Sequence, residues 1–277
     1  MEPYEGTTII DADAATIEGC GICGYKDTTS PGLQRKLAWL RERFKEGMRV
    51  KLLLSEHEGN VGSIEYVPGE FAWRVIHAPG YMVIHCLFIL KRAYKGRGYG
   101  SLMIEVCEKD ARDHKMHGVA VVTTKSTWMV KKEIFLRRGY ELAEEAPPHY
   151  QLLAKRFTND APLPTFSGSW EERLALYPKG LTIIYSDQCP YVAKTVSEIP
   201  RVAKEEFGIE PAIIELTDCR SVQDSPSPYG TFSIVWNGEL VADHPISATR
   251  FRNIMRKLRG RELRQKSGSN STSGSGP

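Results

Sequence analysis

An apolar extended run, residues 85–90, is joined to an amphipathic segment starting at Ser101 by Lys95-Gly96-Arg97-Gly98-Tyr99-Gly100. Glycines at alternate positions leave the backbone N–H groups unobstructed, so they can close on an anion, and the start of a following helix adds partial positive charge. Lys91, Arg92, Lys95 and Arg97 supply countercharge. The arrangement points to an α/β (α+β) protein with a phosphate-gripping turn between strand and helix; a tight connection with no ligand is the plain alternative. A Walker loop is excluded, because it needs Gly-Lys-Ser/Thr after four spacer residues. A dinucleotide fingerprint is excluded too, because the third glycine of Gly96-x-Gly98-x-Gly100 comes one residue early.

The flanks extend the pattern. Residues 118–125 read as a β-branched strand, and residues 128–138 as a helix ended by Gly139-Tyr140. Upstream, Ser30-Pro31 followed by Leu33, Leu37, Leu40 and Phe44 reads as a capped amphipathic helix. Residues 50–56, 61–67 and 71–76 read as strands parted by Gly59-Asn60 and Pro68-Gly69 turns. Residues 159–168 carry Pro162, Pro164 and Gly168 and no apolar period, so they read as a linker. Beyond it, residues 181–186 read as a strand, Gln188-Cys189-Pro190-Tyr191 as a turn, 192–207 as a helix and 211–216 as a strand. Residues 232–236 and 239–242 form a hairpin across Asn237-Gly238, and 248–258 a closing helix.

Lys95-x-x-Gly98-x-Gly100 resembles the acetyl-coenzyme A loop, Gln/Arg-x-x-Gly-x-Gly/Ala, of the GNAT N-acetyltransferase family, with Lys95 in the Gln/Arg slot. The order strand, glycine loop, helix, strand, helix and Gly-aromatic also resembles that family, over residues 25–157. The β-α-β-β-β-α order of the second pattern, with Cys189-Pro190-Tyr191 at its first helix, resembles a thioredoxin or glutaredoxin fold. Val192 stands where the second redox cysteine would be. The two units in this order are similar to the YoaP-type two-domain acetyltransferases. The resemblance implies a mixed-sheet GNAT domain at 1–157, a linker at 158–178 and a thioredoxin-like YoaP-type domain at 179–260; the remainder, 261–277, reads as a disordered tail because it is Ser/Gly-rich from Ser267 on.

It further implies an acyltransferase with acetyl-CoA as co-substrate, passing the acetyl group by direct attack to the amine of a small-molecule or amino-acid-like acceptor. Phe88, Ile89 and Leu90 would pair through their backbone with the pantetheine arm, and Lys95, Gly96, Arg97, Gly98, Tyr99, Gly100 and Ser101 would grip the pyrophosphate. Ile84 fills a position where some members carry glutamate, so the proton acceptor is sought among His85, Glu65 and Glu70. Phe135 fills the position of a frequent tyrosine acid and cannot donate a proton, and Trp128 fills that of a frequent asparagine.

Cys189, at a helix start where the dipole favours a thiolate, is the candidate reactive thiol. Cys20-Gly21-Ile22-Cys23 is half a zinc site without a second pair, which reads first as plain thiols, with a substrate gate, a redox pair or metal capture completed by another cysteine as alternatives, and no resident metal is expected. A thiol- or metal-binding or sensing protein on a catalytically degenerate fold is the alternative function.

With 41% apolar residues over 277 positions, the chain can bury two cores. No apolar run reaches the length of about 18–20 residues that spans a bilayer, so no membrane partner is expected. The start, Met1-Glu2-Pro3-Tyr4-Glu5, lacks the charged-then-apolar order of a secretion signal, and a cytoplasmic location with reduced cysteines is expected. A net charge of +3 gives no ground for a nucleic-acid partner, and the basic residues from Arg250 to Lys266 read as a solvated helix face. A homo-oligomer is left open.

Overall fold

The computed structural model of the chain describes residues 6–25, 27–126 and 128–269. The chain begins with β1 (Thr7–Ala12), α1 (Ala14–Cys20) and α2 (Pro31–Lys45), then β2 (Arg49–Ser55), β3 (Gly59–Pro68), the two-residue β4 (Ile76–His77) and β5 (Tyr81–Ile89). The glycine loop leads into α3 (Tyr99–Asp113), β6 (Gly118–Thr124), the single turn α4 (Glu133–Leu136), β7 (Glu141–Ala146) and β8 (Tyr150–Arg156). After β9 (Thr165–Phe166) and α5 (Trp170–Ala175) come β10 (Leu181–Tyr185), α6 (Val192–Phe207), β11 (Ala212–Glu215), α7 (Cys219–Gln223), β12 (Phe232–Trp236), β13 (Glu239–Ala242) and α8 (Ala248–Ser269).

The first unit is a seven-stranded sheet of order β1-β2-β3-β5-β6-β8-β7, and the second a four-stranded sheet of order β11-β10-β12-β13. In the first sheet β5 and β6 run parallel, joined by α3, while their neighbours pair antiparallel. A parallel pair needs such a crossover, and strands covered on both sides read as continuous apolar runs, as β5 does. In the second sheet β10 and β11 run parallel through α6, and β12 pairs antiparallel on the other side of β10.

Local chemistry accounts for several elements. Pro31 sits at the start of α2, whose Leu33, Leu37 and Leu40 are wholly buried. Gly98 caps α3 at φ 86, a left-handed conformation that favours glycine. Apolar packing runs across both units: Leu33, Trp73, Ile184 and Val235 share one cluster. Where α2 meets the second unit the approach is close, since a Cβ on Gly32 would lie 2.4 Å from the Pro190 carbonyl oxygen.

Several expectations are corrected. Residues 71–76 form no long strand; a 3-10 turn (Gly69–Phe71) leads to a loop, 72–75, whose residues are all buried, as is Ile76 at the start of β4, so the alternation of a half-exposed strand is absent. The helix expected at 128–138 shrinks to α4, because Trp128 is drawn away to the second unit, donating from Nε1 to the Tyr229 hydroxyl at 3.1 Å. The expected linker contains β9, which pairs with β4, and α5, capped by the Ser169 side chain. α8 continues to Ser269, into the segment expected as a tail, while residues 270–277 lie outside the described residues.

Candidate active site

β3 and β5 slip register where Glu65 faces Cys86 and Tyr66 faces Ile84, which leaves His85 as the extra residue of a β-bulge. β5 is laddered to β6 only at residues 81–84, although it runs on to Ile89. The two strands part beyond the bulge. A cavity of about 340 Å³ lies there.

One wall of the cavity is the end of β5 and its continuation into the glycine loop: Leu87, Phe88, Ile89, Leu90 and Lys95. Lys95 opens that loop, in which Gly96 has φ 77 and Gly98 φ 86. Residues 96–101 do not line the cavity itself; the first N–H groups of a helix lack intrahelical acceptors, so the start of α3, four residues beyond Lys95, is an anion-friendly end. Further lining comes from side chains of five separate segments: Lys36 of α2, Glu65 of β3, Arg74 of the loop before β4, and, in the second unit, residues Gln188, Cys189 and Tyr191 of one turn and Tyr229 of another. Ile84, Phe135 and Trp128 complete the lining.

Lys36 and Glu65 form a buried ion pair, Nζ to Oε2 at 2.7 Å, with side chains 1% and 0% exposed. Burial is the largest influence on the Lys36 pKa and works to lower it, but the charge and hydrogen bond of Glu65, with Cys23 and Cys86 adding to them, together turn the net direction up. The other carboxylate oxygen, Glu65 Oε1, is buried without a partner. His85 is buried as well: its Nε2 accepts from the Trp73 backbone N–H at 3.0 Å, and Nδ1 has no partner. Burial, reinforced by the Arg74 and Lys36 cations, holds its pKa well below 6.5, so the ring is neutral. A neutral ring that accepts at Nε2 carries its hydrogen on Nδ1.

The cysteines divide. Cys23, Cys86 and Cys189 line the cavity, while Cys20 is exposed at the end of α1 and does not. Burial pushes the Cys23 thiol well up, the Cys86 thiol up to about 12 and the Cys189 thiol up. The thiolate expected at Cys189 is therefore corrected: desolvation outweighs the hydrogen bond from the Tyr191 backbone that works the other way. Glu70 stands apart from the cavity lining, its Oε1 accepting from the Gly80 N–H at 2.8 Å. Lys36, Arg74, Gln188, Tyr191 and Tyr229 were not anticipated as site residues. Two of them left a trace: Lys36 interrupts the apolar stripe of α2 between Leu33 and Leu40, and Arg74 sits inside an otherwise apolar run.

A mixed sheet that opens at a bulge beside its parallel strand pair, with a glycine loop capping the next helix, is the frame of a GNAT-type acyltransferase. Within that class the chain belongs to the YoaP-like family. Residues 212–253 match the family described as YoaP-like. The chain is 30% identical over 253 residues to the uncharacterized N-acetyltransferase YoaP of Bacillus subtilis (strain 168), spanning 90% of this chain and 98% of that protein. Among solved structures, an acetyltransferase of the GNAT family from Staphylococcus aureus Mu50 aligns at 11% identity and TM-score 0.40 over 55% of this chain and 99% of that one. The GNAT family N-acetyltransferase YhbS from Escherichia coli, solved in complex with CoA, aligns at 12% identity and TM-score 0.39 over 58% of this chain and 86% of that one. Among the described residues no group of three or more His, Cys, Asp or Glu side chains is arranged to hold a metal ion. None of their helices is long and apolar enough to cross a membrane.

Proposed function

We propose that the chain is an acetyl-CoA-dependent N-acetyltransferase of the cytoplasm, acting on the amine of a small-molecule acceptor. The observation that carries this reading is a single cavity lined by the unladdered end of β5, by Lys95 where the glycine loop opens, and by Glu65, whose Oε1 is unpartnered. The residues present fit the co-substrate: the end of β5 at Phe88 and Ile89 is unladdered on its β6 side and offers that edge to the pantetheine arm, Leu90 lines the same cavity although its N–H is spent on the Val61 carbonyl, and residues 95–101 offer glycine-exposed backbone and basic charge to the pyrophosphate. Acetyl-CoA would supply the acetyl group activated as a thioester.

Glu65 is the proton acceptor in this reading. Oε1 takes a proton from the acceptor amine, while the Lys36 ammonium on Oε2 compensates the carboxylate's charge. His85, with Nε2 engaged, is a hydrogen-bond donor through Nδ1 rather than the base. Phe135 leaves the departing thiolate without a proton donor at its position. The division into a domain at 1–157 and one at 179–260 is supported by the two separate sheets, and a thioredoxin-like second domain by its parallel β10–β11 pair around α6 with the antiparallel β12–β13 hairpin.

The test is an amine library assayed for CoA thiol release, beside calorimetry of acetyl-CoA. Turnover that is lost in Glu65→Gln with coenzyme affinity retained is expected; a folded protein that does not bind acetyl-CoA would contradict the assignment. The three thiols of the cavity favour a second reading, thiol binding or sensing on the same fold. Replacing Cys23, Cys86 and Cys189 together by alanine without loss of turnover would remove it.

A further inference from the structure

Arg74 is 1% exposed and lies where the two units meet. Its Nη1 donates to the Trp73 carbonyl at 2.7 Å and to Gln188 Oε1 at 2.8 Å, its Nη2 to the His85 carbonyl at 2.7 Å, and the Tyr229 ring lies 4.9 Å from its Cζ. All four partners are neutral. No carboxylate among the described residues forms an ion pair with it, and its Nε is buried without a partner. Lys36, the other buried cation of the cavity, is matched by Glu65, so the charge of Arg74 stands alone. A guanidinium cannot shed its proton to escape burial, and an unmatched buried charge is strongly unfavourable. The Nε–H and one Nη2 hydrogen remain after the three bonds to protein oxygens, so the guanidinium keeps two donors for an anion.

We propose that the acceptor carries a carboxylate besides its amine, and that Arg74, braced from the second unit by Gln188, binds that carboxylate inside the cavity. The inference rests on the acetyl-transfer reading of the same cavity. It makes the acceptor an amino acid, and it gives the second unit a purpose: Gln188 orients the guanidinium, and Tyr229 covers its face.

The test pairs each standard amino acid with its decarboxylated amine, phenylalanine with 2-phenylethylamine and histidine with histamine among them, at saturating acetyl-CoA. An acid acceptor is expected to exceed its amine in kcat/KM by about tenfold or more. Gln188→Glu, nearly isosteric, places a carboxylate on Arg74 from within the protein, and is expected to erase that preference while acetyl-CoA affinity, read by calorimetry, stays as in the wild type. Arg74→Gln is the second variant, with the same loss of preference expected if it folds. Amines accepted as well as acids, or coenzyme binding with no acid turned over, would overturn the proposal. Failure to bind acetyl-CoA would instead refute the acetyl-transfer reading beneath it.

Discussion

The two walls of the cavity are built on different principles. The β5 and glycine-loop wall uses backbone: an unladdered strand edge and a helix start, set by residues adjacent in the chain. The other wall, the rest of the lining, uses side chains brought from far apart: Lys36 and Glu65 are separated by 29 positions, Arg74 and Gln188 by 114. A backbone wall tolerates changes of side chain as long as its dihedrals hold, whereas the side-chain wall depends on each charge and its partner.

The contrast breaks most sharply at Glu65. Glu65→Gln should lower kcat by about 10²- to 10⁴-fold, the range of a positioned general base, with acetyl-CoA affinity little changed. Parallel losses of both would mean the walls are not separate. Lys36→Met should then cost about 3–5 kcal/mol in denaturant-unfolding stability, because it leaves Glu65 charged and alone in the interior. Adding Glu65→Gln to it should recover much of that stability and none of the turnover.

On the backbone wall, Gly98→Ala should cost about 1–2 kcal/mol, because φ 86 forces a side chain into left-handed backbone, and should weaken acetyl-CoA more than the acceptor. A smaller, pH-dependent effect belongs to His85. Its pKa is held below 6.5 in the folded chain, so the unfolded chain binds more protons under that value and stability rises with pH. The contribution is full above about pH 6.5 and is lost as pH falls below it, so denaturant midpoints should decline in that window and decline less in His85→Gln. Smallest of all, Trp128→Phe removes one hydrogen bond to Tyr229 and should cost about 0.5–1.5 kcal/mol.

The same contrast explains what the amino-acid sequence reveals. α6, β12 and β13 have the bounds read from apolar period and the Asn237-Gly238 turn, because those features are local. β7 escaped notice because Glu141, Glu144 and Glu145 mask any alternation in a strand paired along one side to β8. The glycine loop is legible for the reason the hairpin is: its conformation is written in adjacent residues. The Glu65–Lys36 pair and the Arg74–Gln188 clasp are products of tertiary packing. Their only trace is a charged residue out of place in an apolar stripe. Cys189 shows the limit from the other side, since a helix start argues for a thiolate until burial under the first unit reverses the sign.

The central claim, that the cavity between the strand split and the second unit is where the co-substrate binds, is tested most directly by a thiol footprint. Hydroxyl-radical oxidation of each cysteine, which does not need the thiolate that burial suppresses at Cys23, Cys86 and Cys189, is followed by mass spectrometry with and without saturating acetyl-CoA. Cys86, beside the unladdered end of β5, should be protected several-fold while the exposed Cys20 reacts at the same rate in both. Bound acetyl-CoA that leaves the labelling of Cys86, Cys23 and Cys189 unchanged would contradict the account.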